Sequence, residues 1–206
     1  MINKVYIGID PSINSTGIVI RKVTDNIVDV QFYIIKNNNH EKNKNGIEKS
    51  PLTKKEQTAE QKYNNFHYIL YDKLYGTKES ASYDREYRKT VSLINICNCM
   101  RDIILQYHDC ECYACIEGIS YGSASNTSAI YDLSGLNYML RNTLLSVCKN
   151  VIIAPPTHVK KFATGNGSAK KETMIALFEG IYPDLNIPKK DDIADAWFMS
   201  LMAEKE

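Results

Sequence analysis

The stretch from residue 5 to residue 20 constrains the fold most, because two β-branched apolar runs flank a short polar turn. The runs at 5–9 and 18–20 are typical of strands, and the Pro, Ser, Asn and Gly residues between them are typical of a tight connection. The sequence therefore predicts a strand pair at this point. Asp10 ends the first run, where an uncompensated carboxylate is very costly.

Asp10 has two interpretations. A metal ion would compensate the charge, and the end of a strand is a rigid mount for a metal ligand. Alternatively, Asp10 caps the turn by accepting hydrogen bonds from the amides of Ser12 or Ile13. A metal role predicts that other acids occupy similar positions later in the chain.

The composition is that of an ordinary globular chain, with 206 residues of which 44% are hydrophobic, and it predicts a single domain over 1–206. A formal net charge of +1 favours no particular partner for the surface as a whole, so any electrostatic binding site is expected to be local. We find no apolar run of membrane-spanning length and no signal peptide, which predicts a cytoplasmic protein. The cysteine spacings do not match paired C-x-x-C zinc sites, so we expect reduced thiols.

A third strand over 27–35 continues a meander from the opening pair, and helices and strands then alternate. This order predicts an α/β fold with a mixed five-stranded sheet, an antiparallel meander plus parallel strands, flanked by helices. The elements predicted after the meander are a helix at 91–107, a strand at 112–116, a helix at 125–147, a strand at 151–154, and helices at 157–162, 170–182 and 191–203.

The polar segment at about 36–89 is predicted to be an insertion. It is rich in Asn, Lys, Glu and Gln, with a short helix predicted at 63–74. One interpretation is a tolerated surface loop. The other is a flap that faces a substrate and offers Lys, Arg and Tyr side chains to phosphates and bases.

Three further acids occupy positions as unusual as that of Asp10. Glu117 ends the strand at 112–116, and Asp192 and Asp195 lie three residues apart on the last helix, so they share a face. Asp191 and Asp192 also suit the dipole of a first helical turn. Asp195 lies among apolar residues, and its small neighbours Ala194 and Ala196 are expected to let this face approach a sheet closely.

These acids, Asp10, Glu117, Asp192 and Asp195, predict a site for two Mg²⁺ ions, with Mn²⁺ as a substitute. Carboxylates are the ligands that Mg²⁺ prefers, and two ions about 3.5–4 Å apart can clamp the phosphoryl group during phosphodiester hydrolysis. One ion would activate the attacking water and the other would stabilise the leaving 3′ oxygen. The sequence leaves open whether Asp191 joins or replaces Asp192 as a ligand.

The same residues carry a resemblance to a known family. Gly8-Ile9-Asp10-Pro11 with Thr16-Gly17, then Ile116-Glu117, then Gly165-x-Gly167-Ser168-Ala169-Lys170-Lys171, then Asp192-x-x-Asp195-Ala196, resemble in order the motifs of the RuvC-type Holliday-junction resolvases. These enzymes belong to the RNase H-like superfamily. The resemblance covers most of the chain outside 36–89, and the long insertion is similar to that of divergent phage or viral members.

The resemblance implies a crossover-junction endodeoxyribonuclease of DNA recombination and repair. It implies that Asp10, Glu117, Asp192 and Asp195 are the catalytic and metal-binding acids, and that a homodimer, formed through the helix at 125–147, nicks four-way DNA junctions symmetrically. Lysines beside a glycine loop at a helix start also suit phosphate contacts. The expected DNA-binding residues are Tyr121, the aromatic residue nearest to the junction-stacking position of the bacterial enzymes, and Lys160, Lys161, Lys170 and Lys171.

Two other functions remain open. Another nuclease of the superfamily, acting on flap or branched DNA or on RNA, would use the same acids. A junction-binding protein without catalysis would have little reason to keep all four. The turn after Asp10 also resembles the phosphate loop of actin-like sugar kinases, but 206 residues leave no room for the second domain that those enzymes need.

Overall fold

The computed structural model describes residues 3–25, 27–38, 50–74, 82–119 and 127–205. Within these ranges a six-stranded sheet is flanked by helices, which confirms the predicted fold class. The strands are β1 (Lys4–Asp10), β2 (Ser15–Thr24), β3 (Ile27–Asn37), β4 (Phe66–Tyr71), β5 (Glu111–Glu117) and β6 (Asn150–Ala154), and the helices are α1 (Lys54–Lys62), α2 (Ser82–Leu105), α3 (Thr127–Val147), α4 (Pro156–Thr164), α5 (Lys171–Ile181) and α6 (Lys190–Lys205).

The sheet combines an antiparallel meander with parallel strands, in the order β4-β3-β2-β1-β5-β6. β1 pairs antiparallel with β2, and β2 with β3. β1 pairs parallel with β5, and β5 with β6. The carboxyl ends of β1, β5 and β6 therefore lie at one edge of the sheet, where ligand sites of open α/β sheets form.

β1 is buried on both faces, as expected of a central strand. Val5, Ile7 and Ile9 are completely buried in a core that α2 and α3 cover. The alternate residues of the sheet face the second core, to which α6 contributes Ile193 and Trp197. None of the helices in the described ranges is long and apolar enough to cross a membrane.

The helix predicted at 63–74 is wrong, because the structure has strand β4 there. β4 pairs parallel with β3 and is the sixth strand of the sheet. The apolar spacing of Phe66, Ile69 and Leu70 suggested a helical period. The pattern that decided the structure is a period of two, since Phe66 and Tyr68 are buried on the same face, and aromatic residues favour strands.

Candidate metal centre

Two acids lie side by side at the carboxyl ends of neighbouring parallel strands. Ile9 of β1 pairs with Ile116 of β5, so Asp10 and Glu117 follow the last pair in register. Their side chains are joined by a hydrogen bond. The turn after β1 is held by Thr16, whose hydroxyl donates to the Ser12 carbonyl at 2.6 Å and accepts from the Ser12 amide at 3.2 Å.

α6 places the other two acids over the same edge because glycines let it lie unusually close to the sheet. A Cβ atom on Gly8 would stand 1.8 Å from the carbonyl oxygen of Ala196, and one on Gly17 would stand 2.6 Å from that of Asp192. Ala194 and Ala196 are completely buried, as their small size predicts. Side chains larger than hydrogen at either glycine would push the helix, and with it Asp195, away from β1.

Ser15 fixes the orientation of one helix acid. Its hydroxyl donates a hydrogen bond of 2.7 Å to the Asp192 carboxylate from the start of β2. Such a contact orients a metal-binding carboxylate and limits its rotation. Ser15 was not predicted from the sequence, although its position at the end of the polar turn that follows Asp10 is a signal that could have identified it.

Burial raises the pKa values of all four acids, and repulsion between neighbouring carboxylates adds to it. Burial, followed by repulsion from Glu117, Asp195 and Asp192, raises the pKa of Asp10 well above its usual range. Burial, followed by Asp195, raises the pKa of Glu117 to about 7. Burial raises the pKa of Asp195 to about 6 and also raises that of Asp192. Carboxylates that repel one another at a partly buried site are stabilised by a bound cation.

Two of the predicted DNA-binding lysines lie next to these acids. Lys171 interacts favourably with all four and forms an ion pair of 2.8 Å with Asp191. Although burial opposes it, this pair lowers the pKa of Asp191. Lys160 interacts with Glu117 and Asp195. The structure therefore separates Asp191, which is paired with lysine, from Asp192, which is held by a serine.

Of the other predicted DNA-binding residues, two are exposed sequence neighbours of these lysines and one lies outside the described ranges. Lys161 is exposed on α4, and Lys170 is exposed at the N-cap of α5. The loop between them begins at Gly165, whose φ of 77° ends α4 in the left-handed conformation that glycine favours. Tyr121 lies outside the described residues.

The composition of this acid cluster fits divalent cations, because carboxylates are the ligands that Mg²⁺ prefers. In the described part of the chain, no group of three or more His, Cys, Asp or Glu side chains is arranged to hold a metal ion as it stands. Burial raises the pKa of both Asp10 and Glu117, which favours their protonated forms in the absence of a cation. Deprotonation would give oxygen ligands of the kind that Mg²⁺ prefers.

Comparison with known proteins yields structural relatives alone. No protein-family model matches the sequence, and no curated protein matches it. Among solved structures, RuvC of Thermus thermophilus is similar at 14% identity and a TM-score of 0.49, with 96% of this chain and 91% of that chain covered. The yeast mitochondrial Holliday junction resolvase Ydc2 is similar at 14% identity and a TM-score of 0.45, with coverage of 94% and 75%.

A third structure, T. thermophilus RuvC in complex with a Holliday junction substrate, is similar at a TM-score above 0.5. Its TM-score is 0.51 at 14% identity, and the similarity covers 98% of this chain and 92% of that chain. At this level of identity, similarity establishes the fold. The chain therefore has a RuvC-like fold.

Proposed function

We propose that this protein is a Mg²⁺-dependent endonuclease that resolves four-way DNA junctions by paired symmetric nicks. The observation that carries the proposal is the group of four acids, Asp10, Glu117, Asp192 and Asp195, gathered at one edge of a RuvC-like sheet with raised pKa values. A structural role for so many acids is unfavourable, because each costs stability in the absence of a cation.

The reaction is hydrolysis of a phosphodiester, in which water attacks phosphorus and the bond to the 3′ oxygen breaks. Two bound Mg²⁺ ions would supply water activation and stabilisation of the leaving oxygen. Asp10 and Glu117 would hold them from the sheet, and Asp192 and Asp195 from α6. Because the pKa values of Asp10 and Glu117 are raised, ion binding would displace protons from these acids and would depend on pH.

The lysines beside the acids suit a phosphate substrate. Lys171 and Lys160 provide positive charge where four carboxylates would otherwise repel a DNA backbone. Lys171 is free to exchange its Asp191 partner for a phosphate oxygen, because its side chain is half exposed. This exchange would bring a phosphate next to the acids.

A homodimer would provide the two sites that paired nicks require. On α3, Tyr131, Tyr138 and Leu145 are 76%, 57% and 67% exposed and recur every seventh residue. That spacing forms one stripe along the helix, because seven residues make about two turns. The opposite face of α3 buries Leu136 and Leu140 in the core. The stripe therefore suits the contact with a second copy.

The test is cleavage of a synthetic mobile four-way junction in Mg²⁺ and in EDTA, beside linear duplex, flap and RNA–DNA hybrid substrates. We expect symmetric nicks on the junction, lost in EDTA and in Asp195→Asn. The matched control is Asp102→Asn, an exposed acid on α2, which should cleave as the wild type does.

Each other outcome would revise the proposal in a defined way. Better cleavage of flap or hybrid substrates would keep the site and change the substrate. Tight junction binding without cleavage in Mg²⁺ or Mn²⁺ would refute the proposal that this protein is an enzyme. Full activity of Asp195→Asn would refute the assignment of the metal ligands.

A further inference from the structure

A groove of about 650 Å³ lies between α1 and the loop that joins α5 to α6. One wall is formed by α1 and the other by residues of the loop, including Asn186 and Pro188. The α1 wall is basic. Its lining side chains include Lys54, Lys55 and Lys62, all of which are exposed.

The charges of α1 are divided between its two sides. Glu56 is buried, binds Lys36 at 2.6 Å and caps the helix by accepting a hydrogen bond from the Thr53 amide at 2.7 Å. Glu60 accepts a hydrogen bond from the amide of Tyr68 at 2.8 Å. The acids of α1 therefore bind groups of the sheet. They do not form ion pairs with the lysines that line the groove.

The groove lysines have no acidic partner within the described residues. Lys54 and Lys55 form no ion pair there, and Lys62 lies over the ring of Tyr63, 5.0 Å from its centroid. Lysines at positions 55 and 62 are about two helical turns apart, so they lie along one edge of the groove. Unpaired, aligned cations are the requirement for binding a polyanion.

The two walls are tied together and lead to the acids. The Tyr63 hydroxyl donates to the Asp184 carbonyl at 2.6 Å and accepts from the Asn186 amide at 2.9 Å, which fixes the loop against α1. The loop then continues through Lys189 into the first turn of α6, where Asp192 lies. On the sheet side, Lys36 binds Glu56 of α1 and pairs in register with Ser15, which donates to Asp192, so the groove lies near the acid cluster.

We propose that this groove binds the phosphate backbone of a DNA arm that extends from the acid cluster, which gives α1 a role in substrate binding. The inference rests on the proposed function, since that function supplies DNA as the polyanion. It also decides between the two interpretations of the segment at 36–89, because part of that segment would then contact the substrate.

The experiment measures binding of a fluorescent four-way junction by anisotropy, in EDTA, over about 50 to 200 mM salt. The test variant replaces Lys54, Lys55 and Lys62 with Ala. Each lost phosphate contact should lower the slope of log affinity against log salt by about 0.9, so we expect a fall of about 2 to 3 and at least about tenfold weaker binding at the lower salt. Replacing the same lysines with Arg should restore both values.

The matched control replaces three lysines at the opposite end of the sheet, which changes the net charge equally. Lys4 begins β1, Lys22 pairs with Val5, and Lys149 precedes β6. This control should retain the wild-type slope. Equal effects of the two triple variants, or an unchanged slope in the groove variant, would overturn the inference.

The groove and the proposed function fail in different ways. If the wild type cleaves junctions and the groove variant binds them normally, the groove assignment is wrong and the nuclease stands. If the wild type cleaves no DNA but the groove variant still loses affinity, the groove stands and the nuclease is wrong. Thermal unfolding should change little in both triple variants, because Lys22 is the one replaced side chain that is partly buried and the Lys149–Glu111 ion pair lies at the surface.

Discussion

Replacing Glu117 with Gln is expected to stabilise the metal-free protein, increasingly so as the pH rises. Burial, followed by the Asp195 carboxylate, raises the pKa of Glu117 from 4.5 to about 7. Below the lower value the carboxyl is protonated in both the folded and the unfolded chain. Between the two values the unfolded chain ionises first, so the folded state loses stability until the pH exceeds the higher value.

The expected gain in the free energy of unfolding follows from the difference between these two pKa values. At about 1.4 kcal/mol per pKa unit, the ionised Glu117 costs the folded protein roughly 3 kcal/mol at about pH 8. The same relation gives less than about 1 kcal/mol at about pH 5. Glutamine keeps the shape of the side chain without its charge, so Glu117→Gln should recover most of this free energy.

The assay is urea unfolding of the wild type and the variant in EDTA, at about pH 5 and about pH 8. Glu172→Gln, on the exposed side of α5, is the control and should change little at either pH. Mg²⁺ should then stabilise the wild type more than Glu117→Gln, since the metal relieves the same repulsion. Equal gains at both pH values, or equal stabilisation of both proteins by Mg²⁺, would refute the reasoning.

Gly8→Ala should destabilise the protein by about 3 kcal/mol or more in thermal unfolding, because the new methyl group meets the backbone of α6. The control Gly180→Ala has open space around the new methyl group and should be neutral or stabilising. Ser15→Ala should raise the Mg²⁺ concentration for half-maximal cleavage about tenfold by removing the hydrogen bond that orients a ligand; an unchanged metal requirement would contradict it. Leu145→Lys should convert a dimer to a monomer in sedimentation, while the equally exposed Ile27→Lys should not.

The acids of the candidate site could be predicted because they stand at positions where the surrounding sequence is apolar. Asp10 and Glu117 each end an apolar strand, and Asp195 interrupts an apolar helix, so burial and charge conflict visibly in the sequence. Their convergence required the order of the strands. The resemblance implied that the acids act together, and the pairing of β1 with β5 now accounts for the proximity of Asp10 and Glu117.

What the sequence did not predict depends on contacts between distant elements. The lysine ion pair of Asp191 joins α5 to α6, and the role of Gly8 exists only because α6 crosses β1 at that residue. β4 was not predicted because Phe66, Ile69 and Leu70 fit a helical period. Its strand conformation depends on pairing with β3, which is a contact between distant parts of the chain.

The close packing of α6 on β1 also determines when the acid cluster becomes complete. Two of the four acids come from the first and middle strands, and the other two come from α6, the last of these elements in the chain. During synthesis, the half of the site on β1 and β5 therefore exists well before the half on α6. A growing or shortened chain has an incomplete set of acids, so the proposed nuclease activity would be confined to molecules whose final helix has docked.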